Sequence, residues 1–343
     1  MSEAPAAPQS ESQPPAAPVA VKQHDAVKVT RGLAAMVFSQ LVTVPLSMLV
    51  TSVLARKLGP LDFGAMYLAT TAAKLAFLFV EWGQSNSMAG AVARDRSVAP
   101  RLLGTSVALK LVFGTIALGV LIGVGRLLGY TPEAKLAVIF IAVQATLGTC
   151  IGSGQAVLRG YERQDIVSGL GLYGNLVESG SVLTLALLGT GLAGVLWGGV
   201  IGKAMGIIPL VILLRRFKIG RPVVRREAVG ELLHLGFAFL MFDLVLALQP
   251  YIDAMVLNRN APAEVMGWHA ATQRLTGVLI FPSSALGIAM YPTLARLSRE
   301  SPAEHVAMMR DGLRLMVLGS VPAAVGVIVF ARPVIHALYG STD

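Results

Sequence analysis

The sequence predicts an all-α membrane protein that crosses the bilayer repeatedly, built as two parallel lobes of six-helix type with the second lobe truncated. Three observations carry this. The 343 residues are 55% hydrophobic and only 14% charged, with a mean hydropathy of +0.68, outside the range of soluble globular chains. About nine apolar stretches reach the roughly 20 residues that a helix needs to cross hydrocarbon. A short pattern also recurs in parallel orientation. A membrane β-barrel would alternate apolar and polar residues in short segments, which runs such as Leu111 to Val124 do not do.

Residues 1–30, rich in Pro, Ala, Ser and Gln and without an apolar h-region, read as a disordered cytoplasmic tail and not as a signal peptide. Six spans then make up the first lobe, 31–214, near 32–55, 65–91, 102–125, 135–158, 168–190 and 191–214. Residues 215–236, RRFKIGRPVVRREAVGELLHLG, are basic at first and then amphipathic, and read as a cytoplasmic linker resting on anionic headgroups. The second lobe, 237–343, supplies three spans near 237–257, 267–290 and 313–331. A complete second lobe would need roughly 80 to 90 further residues, so the chain is expected to be a truncated product.

Orientation follows from the basic residues. With the N-terminus in the cytoplasm, eighteen Lys and Arg fall in inner regions and six in outer ones, while Lys74, Lys110, Lys203 and Arg274 lie within spans. The excess is therefore topological, favours an inward N-terminus and gives no sign of nucleic-acid binding.

The repeat joins an outward-going span to an inward-going one in both lobes. A shift of 203 positions places Leu54 on Leu257, Arg56 on Arg259 and Gly64 on Gly267, and Pro45 and Pro250 precede them as hinge candidates. Gly194, Gly198, Gly202 and Gly206 recur every four residues along the sixth span, a ridge that lets another helix approach. The lone cysteine, Cys150, reads as a small apolar packing residue. The Gly-Lys pair in GVIGKAMG lies inside a span and lacks the Ser or Thr of a phosphate loop. No loop clusters Asp, Glu or His for metal or sugar-nucleotide chemistry. The reading is therefore of a transporter with no cofactor and no metal, and not of an enzyme.

An Arg or Lys at the centre of a span costs about 2.5 to 3.5 kcal/mol even on lenient scales, so it faces a partner or a pathway. Lys74 and Arg274 occupy equivalent helices of the two lobes and are the cargo-binding candidates for an anion. Lys110 and Lys203 read as structural charge partners, with Glu178 at hand. Asp243 and Asp253 sit close to three helical turns apart on one face of the seventh span. With Glu81 they are candidates for coupling to H+ or Na+, the alternative being static pairing with the cations. Gln84, Ser85, Asn86 and Ser87 make the end of the second span polar, either lining a hydrated cavity or lying at the interface.

The stretch LARKLGPLDFGAMYLA, 54–69, resembles the first outer loop of the Wzx-type polysaccharide-biosynthesis flippases. EWGQSNSMAGAVARD, 81–95, and YPTLARLS, 291–298, are similar to the cytoplasmic helix ends of that family. The family belongs to the superfamily that also holds the MATE drug exporters. The resemblance implies two lobes around a central cavity that opens alternately to either side of a bacterial inner membrane, with a polyprenyl-diphosphate-linked oligosaccharide as cargo among membrane lipids. Lys74 and Arg274 would meet its diphosphate. The alternative is an ion-coupled multidrug exporter in which the carboxylates bind cargo.

Overall fold

The computed structural model describes residues 23–260 and 283–339, and every regular element within them is helical. α1, Gln23–Glu81, is two arms merged at Gly59, whose φ of 75° and ψ of 174° leave the helical region. A side chain would be strained there, and glycine is not. α2 (Gln84–Arg94) continues the second arm after a break at Trp82 and Gly83. A short 3₁₀ turn (Arg96–Val98) then leads to α3 (Ala99–Leu127), α4 (Pro132–Gly160), α5 (Gln164–Leu187), α6 (Gly191–Arg216) and α7 (Arg226–Asn260). α8 covers 283–300 and α9 is Pro302–Tyr339.

Local chemistry sets these boundaries. Asp95 accepts a hydrogen bond from the Ser97 amide at 2.9 Å and Pro100 opens the first turn of α3. Thr131 caps α4 by accepting from the Ala134 amide at 3.3 Å, with Pro132 and Glu133 following in the first turn. Turns at Gly59, Gly129 and Gly189 gather at one end of the bundle. The opposite end carries Arg94, Arg96, Arg159, Arg163, Arg215 and Arg216.

Six stretches among the described residues are long and apolar enough to cross a membrane, the first running from Val27 through Arg94 across the Gly59 bend. The chain is a multi-pass membrane protein, and Phe38, Leu41, Met48, Ile116, Ile208 and Phe242 face outward accordingly. The tally differs from about nine for three reasons. The first two expected spans form one bent element. The fifth, α5, carries Asn175 and Glu178 at midlength and is not among the six. The eighth lies largely outside the described residues.

Two boundaries also shift. Helix α1 starts at Gln23, inside the stretch read as a tail, because Val29 packs with Leu286, Met290 and Met308 of α8 and α9. The linker is seated on protein: the Val223 amide donates to the Pro100 carbonyl at 3.1 Å, and the Arg225 amide donates to the Thr105 hydroxyl at 3.0 Å. No separate amphipathic helix forms, since Ala228 and Leu232 of α7 are buried against Met88 and Leu103. Pro45 sits inside α1 without a non-helical residue at its position.

The core nearest the functional region joins Ala73 and Phe77 of α1, Leu121 of α3, Ala137 and Ala142 of α4 and Leu196 of α6. Helices α5 and α6 approach so closely that a Cβ on Gly202 would stand 2.4 Å from the Glu178 Cα. That contact puts the glycine ridge of α6 directly on the polar face of α5.

Candidate functional site

A cavity of about 670 Å³ opens among both arms of α1 and helices α4, α5 and α6. Its size suits a ligand headgroup, and its polar lining includes Lys74, Glu81, Gln144, Asn175, Glu178 and Lys203. These residues come from four helices because apolar contacts on one side of each helix turn its few polar residues toward the same space.

Two of the four charges seen in the spans are spoken for. Lys110 of α3 is fully buried and lies behind the cavity wall, where its Nζ meets Glu81 Oε2 at 2.8 Å. The same nitrogen donates to Ser85 Oγ at 3.1 Å and to the Thr149 carbonyl at 3.1 Å. Three acceptors satisfy the three donors of an ammonium group. Glu81 in turn accepts from the Ser85 amide at 3.0 Å, which holds the start of α2. The carboxylate read above as a candidate for ion coupling is thus the counter-ion of Lys110. Across the cavity, Lys203 Nζ lies 2.6 Å from Glu178 Oε2, with both side chains partly exposed.

Lys74 differs. It projects from the second arm of α1, is exposed, and lines the cavity with no carboxylate paired to it among the described residues. Gln144 donates to the Leu196 carbonyl at 3.0 Å, which ties α4 to α6 at the cavity wall.

The remaining candidates do not join this group. Asp243 is half-buried on α7 and outside the lining of the cavity. Of Asp253 only the helical backbone is described, and Arg274 lies outside the described residues. Among the described residues the walls of the Lys74 cavity all come from the first six expected spans, whereas the expectation placed Lys74 in a cavity between lobes. The bend at Gly59 folds the first arm back, so that Ser47 and Thr51 line the same space as Lys74. Among the described residues no group of three His, Cys, Asp or Glu side chains is placed to hold a metal ion.

The polar run at the start of α2 divides its work. Gln84 is buried and accepts from Ser106 Oγ at 2.9 Å, Ser85 serves Lys110, and Asn86 lines a second cavity. That second cavity exposes what sequence reasoning missed. Arg159, one residue past the fourth span as bounded above, lies in the last turn of α4, with its Nη1 3.4 Å from Asn86 Oδ1 and its Nε buried without a partner. The signal was position: an arginine followed by Gly160 and only a short turn before α5 has no long loop on which to move away from the helix ends.

At the Arg-rich end, Glu162 is the centre of a clasp. Its backbone is left-handed, with a φ of 60°, and its side chain is 4% exposed. It accepts from Lys28 of α1 at 2.8 Å and from Arg296 Nε of α8 at 2.7 Å. Burial pushes its carboxyl up, but hydrogen bonds from Lys28 and Arg296, with their charges, outweigh this and hold it below the ordinary carboxylate value.

Comparison with known proteins agrees with this architecture. Residues 53–342 match a family model described as polysaccharide biosynthesis protein. A MATE protein solved in complex with MaD5 superposes with a TM-score of 0.77 at 15% identity, covering 92% of this chain and 76% of that one. A multidrug resistance MATE family transporter of the MOP superfamily, in an outward-facing conformation, gives 0.73 at 15% identity, with 92% and 75% covered. A MOP superfamily transporter from Pyrococcus furiosus, described as having a binding pocket of reverse polarity that suggests a different function, gives 0.71 at 16% identity, with 93% and 75% covered. Curated proteins yield no significant sequence match. The shared fold is that of the MATE-type transporters.

Proposed function

Since the chain belongs to the polysaccharide biosynthesis protein family, we propose that it moves a lipid-linked oligosaccharide across the membrane, with the phosphate-bearing headgroup of the cargo held at Lys74. One observation carries this reading: among the described residues the two carboxylates that line the cavity are each engaged by a lysine, and Lys74 is left over. The uncompensated charge facing the cavity is therefore positive. A cationic group in a partly desolvated cavity binds phosphate oxygens through charge-assisted hydrogen bonds, and a lipid diphosphate offers several.

In this proposal the membrane is a bacterial inner membrane, the N-terminus is cytoplasmic, and the cargo is a polyprenyl-diphosphate-linked glycan delivered from the inner leaflet. The cavity walls from α4 and α6 supply carbonyl, amide and small side chains, which suit a sugar surface. Two lobes moving about the bundle ends would expose the cavity to one side and then the other. Arg274 retains its proposed role as a second phosphate contact, and Asp243 and Asp253 theirs as sites for H+ or Na+.

The alternative, a multidrug exporter of cations coupled to an ion gradient, draws support from the drug transporters that share the fold. It requires a free carboxylate facing the cargo, and the two that line this cavity among the described residues, Glu81 and Glu178, are both paired. Reconstituted vesicles decide between them. The flippase reading expects transfer of a labelled polyprenyl-diphosphate sugar, a marked loss in Lys74→Gln, and no uptake of a fluorescent cation. Undiminished transfer by Lys74→Gln, or uptake of the cation in place of the lipid, would overturn it.

A further inference from the structure

The second cavity, about 380 Å³, lies between α2, the end of α4, α7 and α8, away from Lys74. It pairs an arginine with an apolar wall. Arg159 lines it with Nε sealed from solvent and unpartnered, and among the described residues its side chain donates to Asn86 Oδ1 alone, from Nη1 at 3.4 Å. Among the described residues no carboxylate pairs with it, and Glu81 is held at 2.8 Å by Lys110. Arg159 is half-buried, and a guanidinium with a sealed, unpaired Nε and no carboxylate beside it among the described residues retains capacity for an anion.

The rest of the cavity says what kind of anion. Phe239, Phe242 and Ile288 form its opposite wall with Tyr291, and Phe239 meets Tyr291 edge to face at 5.8 Å. Phe242 is 60% exposed and Ile288 43% exposed, so the wall continues onto the apolar outer surface of α7 and α8. A soluble anion would find only half of its surroundings suitable. An amphiphile with a phosphate at one end and hydrocarbon at the other matches both halves.

We propose that this cavity binds one anionic phospholipid from the leaflet at the Arg-rich end, its phosphate at Arg159 and its acyl chains along Phe242 and Ile288. The lipid would fill the seam where α7 and α8 meet α2 and α4. The proposal is independent of the cargo reading, because the two cavities share no lining residue.

The test is native mass spectrometry of the full chain released from vesicles containing phosphatidylglycerol and phosphatidylcholine. The wild type is expected to retain one phosphatidylglycerol in preference to phosphatidylcholine. Arg159→Gln should lower that occupancy about tenfold, the equivalent of roughly 1.4 kcal/mol, Arg159→Lys should keep part of it, and Lys74→Gln should leave it unchanged. Added inorganic phosphate should not displace the lipid. Equal retention by Arg159→Gln and wild type, or displacement by inorganic phosphate, would overturn the proposal. If Arg159→Gln does not accumulate, the wild-type preference decides alone: retention of both lipids equally would defeat it.

Discussion

Lys110 Nζ lies 2.8 Å from Glu81 Oε2, and the lysine side chain has no exposed surface. Removing one member of such a pair strands the other charge at a typical cost of about 3 to 5 kcal/mol, whereas replacing both with apolar groups of similar volume is often neutral. Lys110→Met should therefore lower the thermal midpoint in detergent strongly, and Lys110→Met with Glu81→Met should recover most of the loss. If the double variant melts no higher than the single one, the pair is not the source of the effect.

Lys74 offers the opposite pattern. It is exposed to the cavity and unpaired among the described residues, so Lys74→Gln should leave the melting temperature unchanged. Transport should fall about tenfold or more, since a hydrogen bond to a charged group contributes roughly 1.5 to 3 kcal/mol. Parallel melting and vesicle-transfer measurements check both halves of this prediction.

Glu162 predicts a pH effect with a definite sign. Its carboxyl is held below the ordinary value of 4.5 by Lys28 and Arg296 against the opposing effect of burial. A depressed carboxyl contributes stability above its unfolded value and loses it as the pH falls through the folded one. The clasp should be intact at neutral pH and weaken only below about pH 4.5. Thermal midpoints measured across that range should fall less steeply in Glu162→Gln than in the wild type. A matching acid limb in the variant would remove Glu162 from the account.

Glycines of α6 and α4 can be compared directly. A Cβ at Gly202 would stand 2.4 Å from the Glu178 Cα, whereas one at Gly148 would meet nothing within 4 Å. Gly202→Ala should destabilise by about 1 to 3 kcal/mol through overpacking, and Gly148→Ala should not, as judged by the same melts. Because Gly202 sits beside Lys203, its substitution should also weaken transport.

Much of the fold was legible in the sequence because lipid imposes length and apolarity on each crossing. The helix ends at Thr131-Pro132 and at Asp95 are written in capping residues. Span counting failed where its assumptions did. At Gly59 a turn of one residue merges two crossings into a continuous element, and in α5 midlength polar residues dilute the apolar signal. The candidate site was legible residue by residue but not as pairs. The sequence marks Lys74, Glu81, Lys110, Glu178 and Lys203 as costly to bury, yet Lys110 with Glu81 is a contact between helices whose rotation depends on packing by residues such as Phe77 and Leu121. Arg159 was hidden for a related reason: its charge suggested full exposure, whereas the short turn after it leaves the side chain half-buried against α2.

The turn at Gly59 also bears on how the protein is made. Each arm of α1 exceeds the roughly 20 residues needed to cross hydrocarbon, and the turn leaves no slack for one arm to settle far from the other. The two arms should therefore enter the bilayer as one hairpin during synthesis, with Ser47 and Thr51 of the first already beside Lys74 of the second. The lysine would then be shielded from lipid from the moment of its insertion, before α4, α5 and α6 emerge from the ribosome to complete its surroundings.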